Sequence, residues 1–134
     1  MPDVLNLTLA VAPMAPRAGG YYDADTRTLT IAEALLEEDP RVVAAALVHD
    51  LQHASDFDLI GVGLLDRDCI ELEARAFETQ AKVACAFWPD ELPSGTNWEK
   101  GLAIVVQVYE DGGLGGLRAM VKSVPGYRAE TCGG

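Results

Sequence analysis

The sequence predicts an α+β fold in which a small antiparallel sheet or hairpin packs on two to three helices. Strand-like patterns are confined to the first third of the chain, and helix-like patterns follow them. After Gly19-Gly20, β-forming runs at 21–22 and 27–31 flank turn-forming residues, which predicts a β-hairpin. Apolar residues at every second position predict an earlier, half-buried strand that ends at the prolines, and these residues are Leu5, Leu7, Leu9 and Val11.

Capping residues set the predicted helix starts, and proline or glycine sets the ends. Asp39-Pro40 is the clearest start, because an N-cap residue is followed by proline at the first helical position. The predicted helices are a short one at 32–38, a main one from Asp39-Pro40 to about Ser55, one from Asp66 or Asp68 to about Phe87, and one from Thr96 or Asn97 to the glycines of 112–116. A short last helix is expected near 117–121, and residues 56–68 are expected to form a loop.

Length and charge limit the classes of function. At 134 residues the chain fits a single domain, 1–134, with 125–134 expected as a loose tail. Its net charge of −11 and lack of a basic cluster argue against nucleic acid or an anionic membrane as partner. The apolar N-terminus lacks the positive charge of a signal peptide, and no run approaches the ~20 apolar residues of a membrane span.

The three cysteines do not indicate a disulfide framework. Cys69 and Cys85 fall on one predicted helix, where a rise of 1.5 Å per residue would separate them by ~24 Å. We therefore expect free thiols, a reducing compartment and a cytoplasmic protein. The sequence does not indicate an oligomeric state.

The chemically informative stretch is AAALVHDLQHASDF, residues 44–57. It places the only two histidines, His49 and His53, four residues apart in a helical run, where their side chains share one face. Two imidazoles on one face can bind one metal ion, at Zn–N distances of about 2.0–2.1 Å. A third protein ligand is available downstream in CIELEARAFETQ, as Glu71 or Glu73.

This pattern resembles the zincin metallopeptidases, and among them the gluzincins, in which an HExxH helix is joined by a glutamate from a following helix, often as ExxA. Here the two motifs are HDLQH and ELEAR. The resemblance covers roughly residues 19–90 and implies a minimal zincin-like core, a Zn²⁺ cofactor and hydrolysis of peptides. It favours Glu71 as third ligand, because Ala74 follows it by three residues; Glu73 is then a surface acid.

Two residues depart from the family pattern. Asp50 takes the place of the catalytic glutamate, and its carboxylate is retracted by ~1.3–1.5 Å, where a misplacement of 1 Å can cost about 10²-fold in rate. Asp50 then acts as an altered base, or activity is lost, or Glu78 replaces it. Arg75 stands where the family often has an acceptor for a ligand imidazole. A salt bridge from Arg75 to Glu71, Glu78 or Asp50 is the alternative.

By the same resemblance, the last strand before the zinc helix is an edge strand that lines the cleft and pairs with a peptide. Its residues here are Thr28, Leu29, Thr30 and Ile31. The acids around the motif favour a basic peptide or protein substrate. The leading prediction is therefore a zinc-dependent metallopeptidase-like protein. The alternatives are a catalytically inactive zincin-fold metal-binding or interaction module, and a metal-free acidic helical protein.

Overall fold

A computed structural model describes residues 7–13 and 20–124. The strands are β1 (Thr8–Ala12), β2 (Gly20–Asp23) and β3 (Thr28–Ala32), and a 3₁₀ helix at Glu33–Glu37 follows; the long helices are α1 (Pro40–Gly61), α2 (Cys69–Phe87) and α3 (Asn97–Ser123). The predicted α+β class is confirmed. The expected tail at 125–134 and the strand position at Leu5 lie outside the described residues.

The three strands form one mixed sheet in the order β1-β3-β2. The predicted hairpin is present as the antiparallel pair β2–β3, in which Tyr22 lies opposite Leu29. β1 pairs with β3 in parallel, with Leu9 opposite Leu29, so the sheet is not purely antiparallel. The close approach of β2 to β3 requires glycine at position 20, where a Cβ atom would lie 2.4 Å from the carbonyl oxygen of Thr30.

The position of β3 corrects the expectation of an edge strand at residues 28–31. β3 is hydrogen-bonded to a strand on each side. Its backbone groups are therefore already paired and cannot accept a peptide as an added strand. Leu29, Thr30 and Ile31 are buried, and Thr28 is half-buried. None of these residues forms the rim of a cleft in the way the resemblance implies.

The helices begin at the predicted caps. Asp39 accepts a hydrogen bond from the backbone N–H of Arg41, and Asp68 accepts from those of Ile70 and Glu71. Thr96 and Glu99 form a capping box at the start of α3. α1 extends to Gly61, six residues beyond its predicted end, because the first residue with a positive φ after it is Gly63.

The predicted break in the last helix is a kink. Gly113 adopts φ 60° and ψ −151° inside α3, and helical structure resumes after it.

α2 packs along both α1 and α3, so that it is the central helix. The main core lies between these helices and contains Ala45, Ala74, Ala81, Ala84, Leu102, Val105, Val106 and Leu117. A smaller core joins β3 and the 3₁₀ helix to α1.

The described part of the chain contains no helix that is both long and apolar enough to cross a membrane.

The cysteines depart from expectation in one respect. Cys85 is free, in agreement with the argument that it cannot pair with Cys69. Cys69 is disulfide-bonded, so the expectation that no cysteine forms a disulfide is wrong.

Candidate metal centre

α1 brings the two histidines together, as their spacing predicts. The imidazole rings of His49 and His53 lie with centroids 5.0 Å apart and planes almost perpendicular. The side chains are 14% and 13% exposed, so both sit at the interface between α1 and α2 rather than on a solvated face. The ring of Phe77, on α2, packs edge-to-face against His49 at 4.6 Å.

Glu73, on α2, completes the group. Its Oε1 lies 2.7 Å from Nε2 of His49, and its Oε2 lies 3.0 Å from Nε2 of His53. One donor atom from each residue lies within 4.8 Å of those from the other two, and Glu73 is buried. We call His49, His53 and Glu73 the His–His–Glu cluster. Within the described residues it is the only group of at least three His, Cys, Asp or Glu side chains with donor atoms so close together.

The structure corrects the choice between the two glutamates. Glu71 does not join the cluster; its Oε1 accepts a hydrogen bond from Nη2 of Arg118 at 3.0 Å. In an α-helix each residue advances about 100°, so residues 71 and 73 are about 200° apart and point in nearly opposite directions. α2 turns position 73 towards the histidines and position 71 towards α3. Glu73, which the ExxA pattern assigned to the surface, is the member of the cluster.

A hydrogen-bonded network beside the cluster holds α1 and α2 in this register. Asp56, which is fully buried, accepts from Nε and Nη2 of Arg75 at 3.0 and 2.9 Å. Asp56 also accepts from Gln52, whose Oε1 in turn accepts from the hydroxyl of Thr79 at 2.8 Å. Because three α1–α2 hydrogen bonds converge here, Glu73 is held opposite the histidines by groups that are not donors in the cluster.

Arg75 and Glu78 therefore have other roles than those considered from the sequence. Arg75 pairs with Asp56 and with none of the three carboxylates that had been considered. Glu78 makes a long contact with Lys82, 3.7 Å between Oε1 and Nζ, one helical turn away. Neither residue contacts the cluster through a hydrogen bond that the structure describes.

The acceptor that Arg75 could not supply comes from Gln80. Its Oε1 lies 3.1 Å from Nδ1 of His49, on the side of the ring opposite Glu73. Sequence reasoning missed this residue. A signal was present, because position 80 follows position 73 by seven residues, which is two helical turns and returns to the same face. The signal could be used only after Glu73 had been chosen.

Electrostatics favour an ionised Glu73 beside the two imidazoles. Burial by itself would raise the pKa of Glu73, but hydrogen bonds from His49 and His53 and their positive charge outweigh it and lower the pKa to about 2. For His53, burial lowers the pKa, and the hydrogen bond and charge of Glu73 outweigh burial, so that the pKa is raised. A carboxylate stabilised in this way remains ionised and available as a ligand at neutral pH.

Asp50 lies beside the cluster but outside it. Asp50, on α1, is 7% exposed, and its side chain faces the sheet. A Cβ atom added at Gly20, on β2, would lie 3.0 Å from its Oδ2. Burial raises the pKa of Asp50 to about 6; His49 and His53 oppose this rise, and Glu73 adds to it. The backbone of β2 at Gly20 limits the space around this carboxylate.

The donor set fits a divalent metal ion such as zinc. Two imidazole nitrogens and a carboxylate oxygen are ligand types that zinc accepts, and a tetrahedral ion with bonds of about 2.0–2.1 Å separates its ligand atoms by ~3.3 Å. The distances of 2.7 and 3.0 Å join the two histidines to different oxygens of Glu73, so binding an ion would require them to open by about 0.3–0.6 Å and one carboxylate oxygen to face both nitrogens. Comparison with protein-family models, curated proteins and solved structures gave no match. The likeness to zincins therefore rests on the two histidines and a downstream glutamate.

Proposed function

We propose that this protein binds zinc through His49, His53 and Glu73 and acts as a metallopeptidase-like hydrolase. The observation that carries the proposal is the position of Glu73, whose two carboxylate oxygens face Nε2 of the two histidines from a separate helix. Zinc bound there would supply a Lewis acid that polarises a carbonyl group and lowers the pKa of a water molecule to about 7. Three protein ligands leave a fourth position for that purpose.

The other residues would act on protons and on orientation. Asp50 follows His49 directly and is the proposed proton acceptor, in the place that zincins give to glutamate. Peptides are the proposed substrate on the basis of that resemblance. A generic peptide therefore serves as the first substrate to test.

The charge preference for basic peptides remains a prediction, but ion pairs reduce its expected size. Four of the acids that surround the motif contact a cation: Asp56 with Arg75, Asp58 with Arg27, Glu71 with Arg118 and Glu78 with Lys82. The local field is therefore weaker than these carboxylates alone would produce. We expect only a small excess of turnover on basic over neutral peptides, and one that disappears at high salt.

A catalytically inactive metal-binding module is the second candidate, and two observations favour it. The carboxylate of Asp50 packs against β2 at Gly20, and β3 has no free edge to hold a peptide. Both features remove parts that a zincin uses to bind and cleave substrate. In this second candidate the protein binds the metal ion but does not hydrolyse peptides.

Metal content tests the part that the two candidates share. Wild-type protein prepared with zinc should carry about one ion per chain, and H49A, H53A and Glu73→Gln should each lose it. Glu71→Gln is the matched control, because the same substitution two residues away on the same helix removes only the partly exposed ion pair with Arg118. Equal zinc content in wild type and Glu73→Gln, or loss in Glu71→Gln alone, would refute the assigned cluster.

Turnover separates the two candidates. Casein and a generic peptide library are incubated with zinc-loaded protein, with and without a chelator, and with Asp50→Asn as a variant that keeps the shape of the side chain but cannot accept a proton. Hydrolysis that requires both zinc and Asp50 supports the hydrolase. Zinc binding without any hydrolysis leaves the inactive module.

A further inference from the structure

The environment of His49 differs on its two ring nitrogens. Nε2 faces the carboxylate of Glu73 at 2.7 Å, whereas Nδ1 faces the side-chain oxygen of Gln80 at 3.1 Å. Phe77 packs edge-to-face against the ring from the intervening turn of α2. The ring is therefore held at both nitrogens and on one side, with little freedom to rotate.

These contacts bear on which nitrogen can bind a metal ion. A neutral imidazole carries one proton, and a nitrogen that binds a metal must present its lone pair. In the structure Nε2–H donates to the Glu73 carboxylate. When Nε2 instead binds a metal ion, the proton of the neutral imidazole resides on Nδ1 and needs an acceptor. An amide oxygen at 3.1 Å is such an acceptor, and an acceptor beyond a ligand imidazole both fixes the tautomer and increases the basicity of the ligand nitrogen.

We propose that Gln80 is a positioning residue, which keeps the proton of His49 on Nδ1 and directs the lone pair of Nε2 to the metal site. This inference rests on the proposed function, since it concerns the same site. It assigns to one uncharged side chain the role that an acidic or amide neighbour of the third ligand has in the resembling family. Here that side chain lies seven residues after Glu73. Arg75, two residues after Glu73, forms an ion pair with Asp56 instead.

Three variants test the inference. Gln80→Met keeps the length of the side chain and removes the acceptor, whereas Gln80→Glu keeps an acceptor and removes the amide donor. Gln107→Met is the matched control, because Gln107 is exposed on α3 and bonds only Asp111 one turn away. Zinc affinity is measured by competition with a chromophoric chelator, and unfolding curves establish that each variant is folded.

We expect Gln80→Met to bind zinc about 10–100-fold more weakly than wild type, Gln80→Glu to bind at least as tightly, and Gln107→Met to be unchanged. Nitrogen-15 chemical shifts of the His49 ring in the zinc-loaded protein report which nitrogen carries the proton, a readout that general destabilisation would not move. Nδ1 should carry the proton as a single tautomer in wild type and in Gln80→Glu, and this Nδ1–H signal should be lost or shifted in Gln80→Met.

Two results would overturn the role of Gln80. One is unchanged affinity and an unchanged Nδ1–H signal in Gln80→Met; the other is a loss of tenfold or more in Gln80→Glu, which retains the acceptor. The second comparison stands even if Gln80→Met does not fold. Failure of wild-type protein to bind zinc at all would instead refute the proposed function, so the two failures are distinguishable.

Discussion

Replacing Asp50 by asparagine should stabilise the metal-free protein at neutral pH. In the folded state the pKa of Asp50 is raised from 3.8 to about 6, with burial as the largest cause. A raised carboxyl pKa means that the contribution of Asp50 to folding is fully present below the unfolded value and is lost as the pH rises through about 6. At pH 7 and above, the folded protein therefore holds a buried charge that the unfolded chain would solvate.

The size of the effect follows from the shift. A difference of about two pKa units, at about 1.4 kcal/mol per unit, corresponds to about 3 kcal/mol. Asparagine has nearly the same shape and no charge, so Asp50→Asn should raise the free energy of unfolding by up to that amount at pH 8 and by little at pH 4. For a domain of this size, the melting temperature should rise on the order of 10 °C at pH 8.

Thermal unfolding followed by circular dichroism, in the presence of a chelator and at several pH values from 4 to 8, measures this difference. Asp90→Asn is the control, because Asp90 is an exposed aspartate in the segment between α2 and α3. A variant that is no more stable than wild type at pH 8, or equally stabilised at pH 4 and pH 8, would refute the reasoning that burial of charge dominates at this position.

Three further predictions address packing, the helix register and the metal. Gly20→Ala should lower the free energy of unfolding by about 1–3 kcal/mol, because its Cβ would overlap the backbone of β3, whereas Gly61→Ala, with open space around it, should be neutral in the same denaturant titration. Arg75→Met should cost about 3–5 kcal/mol by leaving the fully buried Asp56 without its cation. Arg118→Met should cost no more than about 1 kcal/mol, because both partners of that ion pair are partly exposed, and equal costs would contradict the burial difference. Zinc affinity should fall as the pH is lowered from about 7 to about 5, because metal ligands must be deprotonated, and loading that is flat across this range, measured by equilibrium dialysis, would argue against imidazole ligands.

Local features of the fold were predictable because their causes are local. Caps satisfy backbone groups within a few residues; the structure confirms Asp39, and it selects Asp68 over Asp66 and Thr96 over Asn97. The order of strands was not predictable in this way. It depends on the parallel pairing of β1 with β3, although β2 lies between them in the sequence, and no neighbouring residues encode that choice.

The site shows the same division. The spacing of His49 and His53 required only the geometry of one helix. The choice of Glu73 over Glu71 depended on how α2 is rotated relative to α1, and both residues are acids that a helix can present on either side. Rotation is set by contacts such as Arg75 with Asp56, which pair residues nineteen positions apart. Apolar periodicity could not reveal them, because the buried residue in question is an acid.

The network around Asp56 also has a consequence for the order of assembly. α1 and α2 are joined by the Arg75–Asp56 ion pair and by the hydrogen bond from the Thr79 hydroxyl to the side-chain amide of Gln52, neither of which requires a metal, and the Glu73 carboxylate spans both histidines by itself. The helices can therefore dock first and receive the ion afterwards. The proposed zinc ion would then bind after the chain has folded. It could be gained or lost as the concentration of free metal changes, without unfolding of the chain.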